Sequence, residues 1–330
     1  MNTSHQMIQC PPLGAFITLI KKETIIAFLC AILLAITSTF SHDSVASPRS
    51  HLSTWALPQN SLHGHTLIIP PTFKNHKIRL REWDGTNNNF LEVINKHPRR
   101  WQAAMLDSTQ LTIGCAQGVL YPIQNNTGCG QPAGFSETIL TWDRSRLSTP
   151  PHWEDLWNVV QLPGQRALPQ TARITLEVAL LADGIPPRHV YDVLSTPQGI
   201  EHAFHRLDQL RPYILWWRTP NEAHRLLQHR GFLMGVIPHD TLAASVLRRD
   251  SYVTELSAHL SLYTEYYWSV PNNPNHASLR TTLTQLDKNF PHFPDLPEPL
   301  PNNSLVINNN FWSTHAPVLE ARFSAWLKQH

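Results

Sequence analysis

From His65 to Trp142 the apolar positions come in short bursts separated by turn formers, and beyond Pro151 they fall at helical spacing. Leu67, Ile68 and Ile69 predict a strand within His65–Pro71, and Ile78 and Leu80 alternating with charges predict another within Lys77–Glu82. A short helix over Leu91–Ile94, a strand over Ala103–Leu106, an apolar stretch from Leu111 to Leu120 and a strand over Phe135–Trp142 complete a βαβ rhythm. After the Pro150-Pro151 break, Pro169–Gly184 reads as a helix with Leu176, Ala179 and Leu180 on one face, closed by Gly184 and Pro186-Pro187. In the next helix Thr196 caps, Pro197 takes the first turn, and Ile200, Ala203, Phe204, Leu207 and Leu210 make the buried stripe. Strands over Tyr213–Trp217 and Phe232–Ile237 flank a helix over Glu222–His229, an aromatic strand covers Ser261–Val270, and an amphipathic helix over Val318–Leu327 closes the chain.

The amino-terminal region breaks this rhythm. Lys21 and Lys22 precede an apolar run from Ile25 to Ile36, followed by Thr37, Ser38 and Thr39, which is the pattern of a secretory signal. The run has 12 residues, where a membrane span needs roughly 20. A signal peptide over residues 1–41 and export to the periplasm are therefore expected, with an uncleaved anchor or a buried helix as the alternatives. Cys10 and Cys30 leave with the signal, and Leu29 is too bulky for a lipid attachment site at Cys30. The remaining Cys115 and Cys129 should pair in an oxidising compartment; two free buried thiols are the alternative.

Composition narrows the function. Lys and Arg number 26 against 24 Asp and Glu, and no basic stripe carries interleaved aromatics, so a nucleic-acid surface has no electrostatic support. The 19 histidines include His202 with His205, and His224 with His229 beside Glu222, but neither group supplies a full metal-ligand set. Gly134-Phe135-Ser136 lacks the second glycine of a nucleophile elbow, and Gly128-Cys129-Gly130 lacks the Lys and Ser/Thr of a phosphate loop. No catalysis, cofactor or metal is expected. What remains is a set of carboxylates, Glu137, Glu177, Asp240 and Glu265, with Trp216, Trp217, Tyr263, Tyr266, Tyr267 and Trp268. Carboxylates with aromatic walls suit an ammonium ligand; core tryptophans and surface acids are the plainer account of each residue alone.

Several strings resemble the periplasmic polyamine-binding proteins that serve ABC transporters of putrescine and spermidine. These are the run from Trp157 to Leu168, Thr175-Leu176-Glu177, Leu180 to Gly184, Leu194 to Ile200, Trp216-Trp217, and Glu320 to Phe323 with Trp326-Leu327. Gly114-Cys115 and Cys129-Gly130 are similar to the family's paired cysteines. The resemblance implies an α/β two-lobed clamp of the type II periplasmic kind, each lobe a sheet flanked by helices. Residues 42–140 would begin the first lobe, 141–262 form the second, and 263–330 return to the first and close with the terminal helix. It further implies a polyamine or related amine as solute and inner-membrane ABC permease subunits as partners. The alternative is a degenerate member acting as an envelope interaction protein. The ligand-binding set so implied is Glu177 as principal anion, Trp216 and Trp217 on the cleft strand, and Ser136 and Glu137 at the first crossover. Tyr266 stands where the family has a second acid, in Tyr266-Tyr267-Trp268, and Asp240 in His239-Asp240 can restore a charge. Pro70 to Lys77 and Ala277 to Pro301 are shorter than in the family. Such a site should bind diamines weakly, or prefer one amine on an apolar body.

Overall fold

A computed structural model describes residues 53–64, 66–83, 90–96, 101–123, 128–229, 231–247, 254–273 and 289–329. The expected signal segment, 1–41, and part of the shortened 277–301 segment lie outside them. The strands are β1 (Ser53–Leu57), β2 (Ile78–Glu82), β3 (Ala103–Asp107), β4 (Gln131–Asp143), β5 (Arg166–Pro169), β6 (Ile214–Trp217), β7 (Met234–Pro238), β8 (Thr254–Ser269) and β9 (Leu305–Val306). The helices are α1 (Phe90–Lys96), α2 (Ser108–Ala116), α3 (Ala172–Ala182), α4 (Val190–Leu194), α5 (Pro197–Leu210), α6 (Pro220–Gln228), α7 (His239–Leu247) and α8 (Asn309–Lys328).

The strands form one sheet in the order β2-β1-β3-β8-β4-β7-β5-β6, with β9 against β8. Its centre is the antiparallel pair β4 and β8, in register from Gln131 opposite Trp268 to Asp143 opposite Thr254. β3 joins β8 at one end, with Asp107 opposite Tyr266, and β7 joins β4 at the other, with Thr138 opposite Pro238. Two parallel wings, β3-β1-β2 and β7-β5-β6, thus hang from the ends of the same two long strands. A sheet was expected in each lobe; β4 and β8 are long enough to serve both wings, so the two run together as one continuous sheet. Trp55, Met105, Trp268 and Phe293 centre one apolar core, and Leu176, Leu207, Trp312 and Phe323 centre another, which α8 shares with α3 and α5.

Local signals explain most elements. Thr196 accepts from Gly199 N–H and Pro197 sits in the first turn of α5, as the sequence predicts. The strand expected over Leu67–Ile69 does not form: only Ile68 bridges, to His292, and Ile68 and Ile69 stay exposed. Pro70 and Pro71 remove the N–H groups a ladder needs. The helix expected from Pro169 starts late, because Arg173 is extended (ψ 141°) and Ile174 has φ 76°.

Cys115 at the end of α2 is bonded to Cys129, with Cα atoms 5.7 Å apart. Closing a loop of 14 residues' separation stabilises by about 3 kcal/mol in the chain-entropy model. Reductant should lower unfolding free energy by about that amount, measured by denaturant titration. An unchanged midpoint would show that the bond restrains nothing in the unfolded chain.

Candidate functional site

In parallel α/β sheets the loops leaving the carboxyl ends of the strands leave a crevice in which ligands are held. Here the wings aim those ends at one cavity of about 660 Å³. Gln59 follows β1, Trp83 follows β2, Thr171 follows β5, Arg218 follows β6 and Asp240 follows β7, and all line it. Ser136 and Thr138 of β4 and Thr264 and Tyr266 of β8 contribute from the long central strands.

Ser136, Trp217, Asp240 and Tyr266, from the sequence-predicted set, are brought together on this cavity. Glu137, Trp216, Glu177 and Trp268 are not on its wall. Strand alternation accounts for two of them. Glu137 lies on the face opposite Ser136, where Ser261 Oγ donates to its Oε1 at 2.5 Å and Tyr263 OH at 3.4 Å. Trp216 faces away from Trp217 and meets the rings of Phe323 and Trp326 edge-on at 5.6 and 6.0 Å. Trp268 is buried 5.0 Å from Trp55, its Nε1 donating to Pro291 O. Glu177 is fully buried within α3, where Trp312 Nε1 (2.6 Å) and Tyr191 OH (2.9 Å) donate to Oε1. Burial pushes its carboxyl above the usual range against the pull of those two donors. Its acid ties α8 and α4 to α3.

Asp240 is the notable charge on the wall. It opens α7, is 5% exposed, and among the described residues no cation stands beside it. Burial first, and the Glu82 carboxylate second, push it up to about 7, while the Thr66 backbone pulls it down. The Thr66 hydroxyl donates to its Oδ1. Arg173, largely buried, is engaged with Asp107; burial works against its charge, but the Asp107 carboxylate outweighs this and holds the guanidinium above its ordinary value. Glu320 of α8 accepts from Thr171 Oγ1 (2.6 Å), Ala172 N (3.0 Å) and Arg173 N (3.2 Å), so the amides that start α3 are already taken. Arg218 is exposed and paired with Glu222 at 3.0 Å. Burial pushes the Tyr266 phenol far up, with Asp107 adding to it, leaving a neutral donor on the wall.

Gln59, Thr171, Arg173 and Arg218 were not singled out from sequence, and Glu320 entered only as part of the resembling string Glu320 to Phe323, not as a site residue. The strand-end rule points to the first four, since each falls within a few residues of a strand's carboxyl end. Glu320 carries no local signal, because its partners are about 150 positions earlier. No group of three or more His, Cys, Asp or Glu could hold a metal among the described residues. His202 instead pairs with Asp183 at 2.6 Å.

A mixed α/β sheet with its crevice between two wings is the fold of the periplasmic binding proteins. Residues 96–236 match the family described as bacterial extracellular solute-binding protein. The chain is 28% identical over 286 residues to the gamma-aminobutyric acid-binding protein of Pseudomonas aeruginosa, covering 74% of this chain and 81% of that one. Among solved structures it is similar to the binding protein MotA of A. tumefaciens B6 in complex with glucopine, with TM-score 0.70 and 16% identity over 83% of this chain and 99% of that chain. The Atu4243 GABA receptor superposes with TM-score 0.64 and 16% identity, over 84% and 98%. Among the described residues no helix is long and apolar enough to cross a membrane.

Proposed function

We propose that this chain is the solute-binding component of an ABC importer in the periplasm, and that its solute is a small amino-acid-type molecule bearing one ammonium group. Asp240 carries the reading: a buried carboxyl on a cavity wall, without a cation beside it, lacks a positive partner that an ammonium supplies. Trp217 and Tyr266 cover the methylenes, while Ser136, Thr264 and Gln59 offer polar contacts. The other acid on these walls, Glu320, is taken by Thr171, Ala172 and the Arg173 amide, and Tyr266 is uncharged, which disfavours a second ammonium, while the exposed Lys328 suits a carboxylate at the other end. The balance therefore supports a zwitterion over the polyamine expected from the resemblance, and the GABA named for the Pseudomonas relative fits it. A cavity of about 660 Å³ is of the size that ligand sites use, which favours a binder over the degenerate envelope protein. β4 and β8 would act as the hinge, with lobes at about 42–140, 141–262 and 263–330 in the order given above.

Calorimetry with GABA, putrescine, spermidine and an uncharged-tail monoamine is the test. GABA should bind at least about tenfold tighter than either polyamine, the factor one charge-assisted contact supplies. Putrescine or spermidine binding more tightly than GABA would restore the polyamine reading.

A further inference from the structure

The chain's own side chains tie the two wings to each other at two places around the cavity. At the first, Arg173 leaves the β5 wing and meets Asp107, at the end of β3, as a two-pronged pair. Its Nη1 donates to Oδ1 at 3.0 Å and its Nη2 to Oδ2 at 2.9 Å, with a third bond from Nη1 to Thr109 Oγ1 at 3.0 Å. At the second, the loop after β1 lies on the start of α7. Asn60 Nδ2 donates to Thr241 Oγ1 at 3.2 Å, and the Thr66 hydroxyl donates to Asp240. Gly64 is so close that a Cβ there would fall 2.5 Å from Asp240 Cα, so this approach requires glycine.

The first tie is held unusually firmly from both sides. The Asp107 side chain also accepts from the Thr109 and Gln110 amides as the cap of α2, which fixes its carboxylate. The Arg173 amide is held by Glu320, and the next residue, Ile174, sits at φ 76°, a left-handed conformation costly for a β-branched side chain. Such a corner persists only where its surroundings over-determine it. With side chains 11% and 3% exposed, the ion pair is shielded from water and salt. It also forms a partition: Arg173, Thr171 and Glu320 line the solute cavity and a second cavity of about 640 Å³ between α2 and α8.

We propose that the Arg173–Asp107 pair is a built-in latch that closes the wings on each other without help from solute, so that solute entry requires the latch to break. This rests on β4 and β8 acting as the hinge named above. A ligand then shifts an equilibrium that the chain has already biased, and part of the affinity for solute is spent on reopening. Breaking the latch should lower the closed-to-open ratio of the unliganded protein by about tenfold or more, the effect of losing one charge-assisted pair.

Asp107→Asn is the informative variant, since the amide oxygen still caps α2 while the charge is lost; Arg173→Gln is its counterpart. Small-angle scattering of the mature, unliganded chain reads the latch without any solute. The wild type should be compact and both variants expanded, with the double variant no more expanded than either. Stopped-flow tryptophan fluorescence with GABA should show association several-fold faster in the variants. Thermal melting confirms that the variants are folded. Variants as compact as the wild type would overturn the latch, as would a wild type already as expanded as they are. Because scattering needs no ligand, the latch can fail while the solute reading stands, and GABA can fail to bind while the latch holds.

Discussion

Replacing Asp240 by Asn should weaken an ammonium-bearing solute by about ten- to a hundredfold, the range of one charge-assisted contact to a buried carboxylate. Glu177→Gln should change affinity by less than about twofold, because Glu177 lies within the α3–α4–α8 core, and its loss there is read in stability. The pH dependence follows from the Asp240 carboxyl being pushed up to about 7, chiefly by burial and then by Glu82. Only its ionised form attracts a cation, so affinity should climb as pH rises through about 7. The unliganded protein should respond in the opposite sense. A folded-state value raised above 3.8 contributes stability that is fully present below 3.8 and is lost as pH rises through about 7. Asp240→Asn should flatten both profiles and make the unliganded protein more stable above neutrality. Calorimetry and thermal melting from about pH 6 to about pH 8, spanning the carboxyl's titration, read the two together. A wild-type affinity that falls with rising pH would remove Asp240 from the site.

Arg166→Met should cost about 3 to 5 kcal/mol of folding stability and leave solute affinity unchanged. Arg166 begins β5 with no exposed surface, and its guanidinium binds four backbone carbonyls of the preceding loop. Nε donates to Leu156 O at 2.9 Å, Nη1 to Gly164 O at 2.6 Å, and Nη2 to Leu162 O at 2.8 Å and Asp155 O at 3.4 Å. Burial, and Arg146 nearby, lower its value to about 10, with Asp155 opposing, so it stays charged at neutral pH. Methionine fills much of the volume and supplies none of the donors, leaving carbonyls buried without partners. Denaturant unfolding measures the loss; a cost below about 1 kcal/mol would mean that water reaches those carbonyls.

Much of the element list was legible because its causes are local. Thr196 and Pro197 start α5 through groups within three residues of each other, and the alternation in Ile78–Glu82 makes a strand by itself. The site was legible in part for the same reason. Asp240, Trp217, Ser136 and Tyr266 sit on or just beyond strands that the pattern had already marked. Glu137 and Trp216 were separable from them in principle, since adjacent strand residues face opposite ways.

By itself the sequence determined the α/β alternation, the carboxyl ends at which a crevice forms, and the pool of acids and aromatics from which a site is drawn. Which acid faces the cavity was decided only by tertiary structure. Glu177 and Asp240 both stand on helices of similar apolarity, but α8 covers one, through Trp312, whereas the other opens α7 onto the crevice. The same holds for Arg173, joined to Asp107 across 66 positions, and for Glu320, joined to Thr171 across 149. Periodicity and capping act over a few residues, whereas burial and charge pairing depend on distance in space, which the packing of the wings alone assigns.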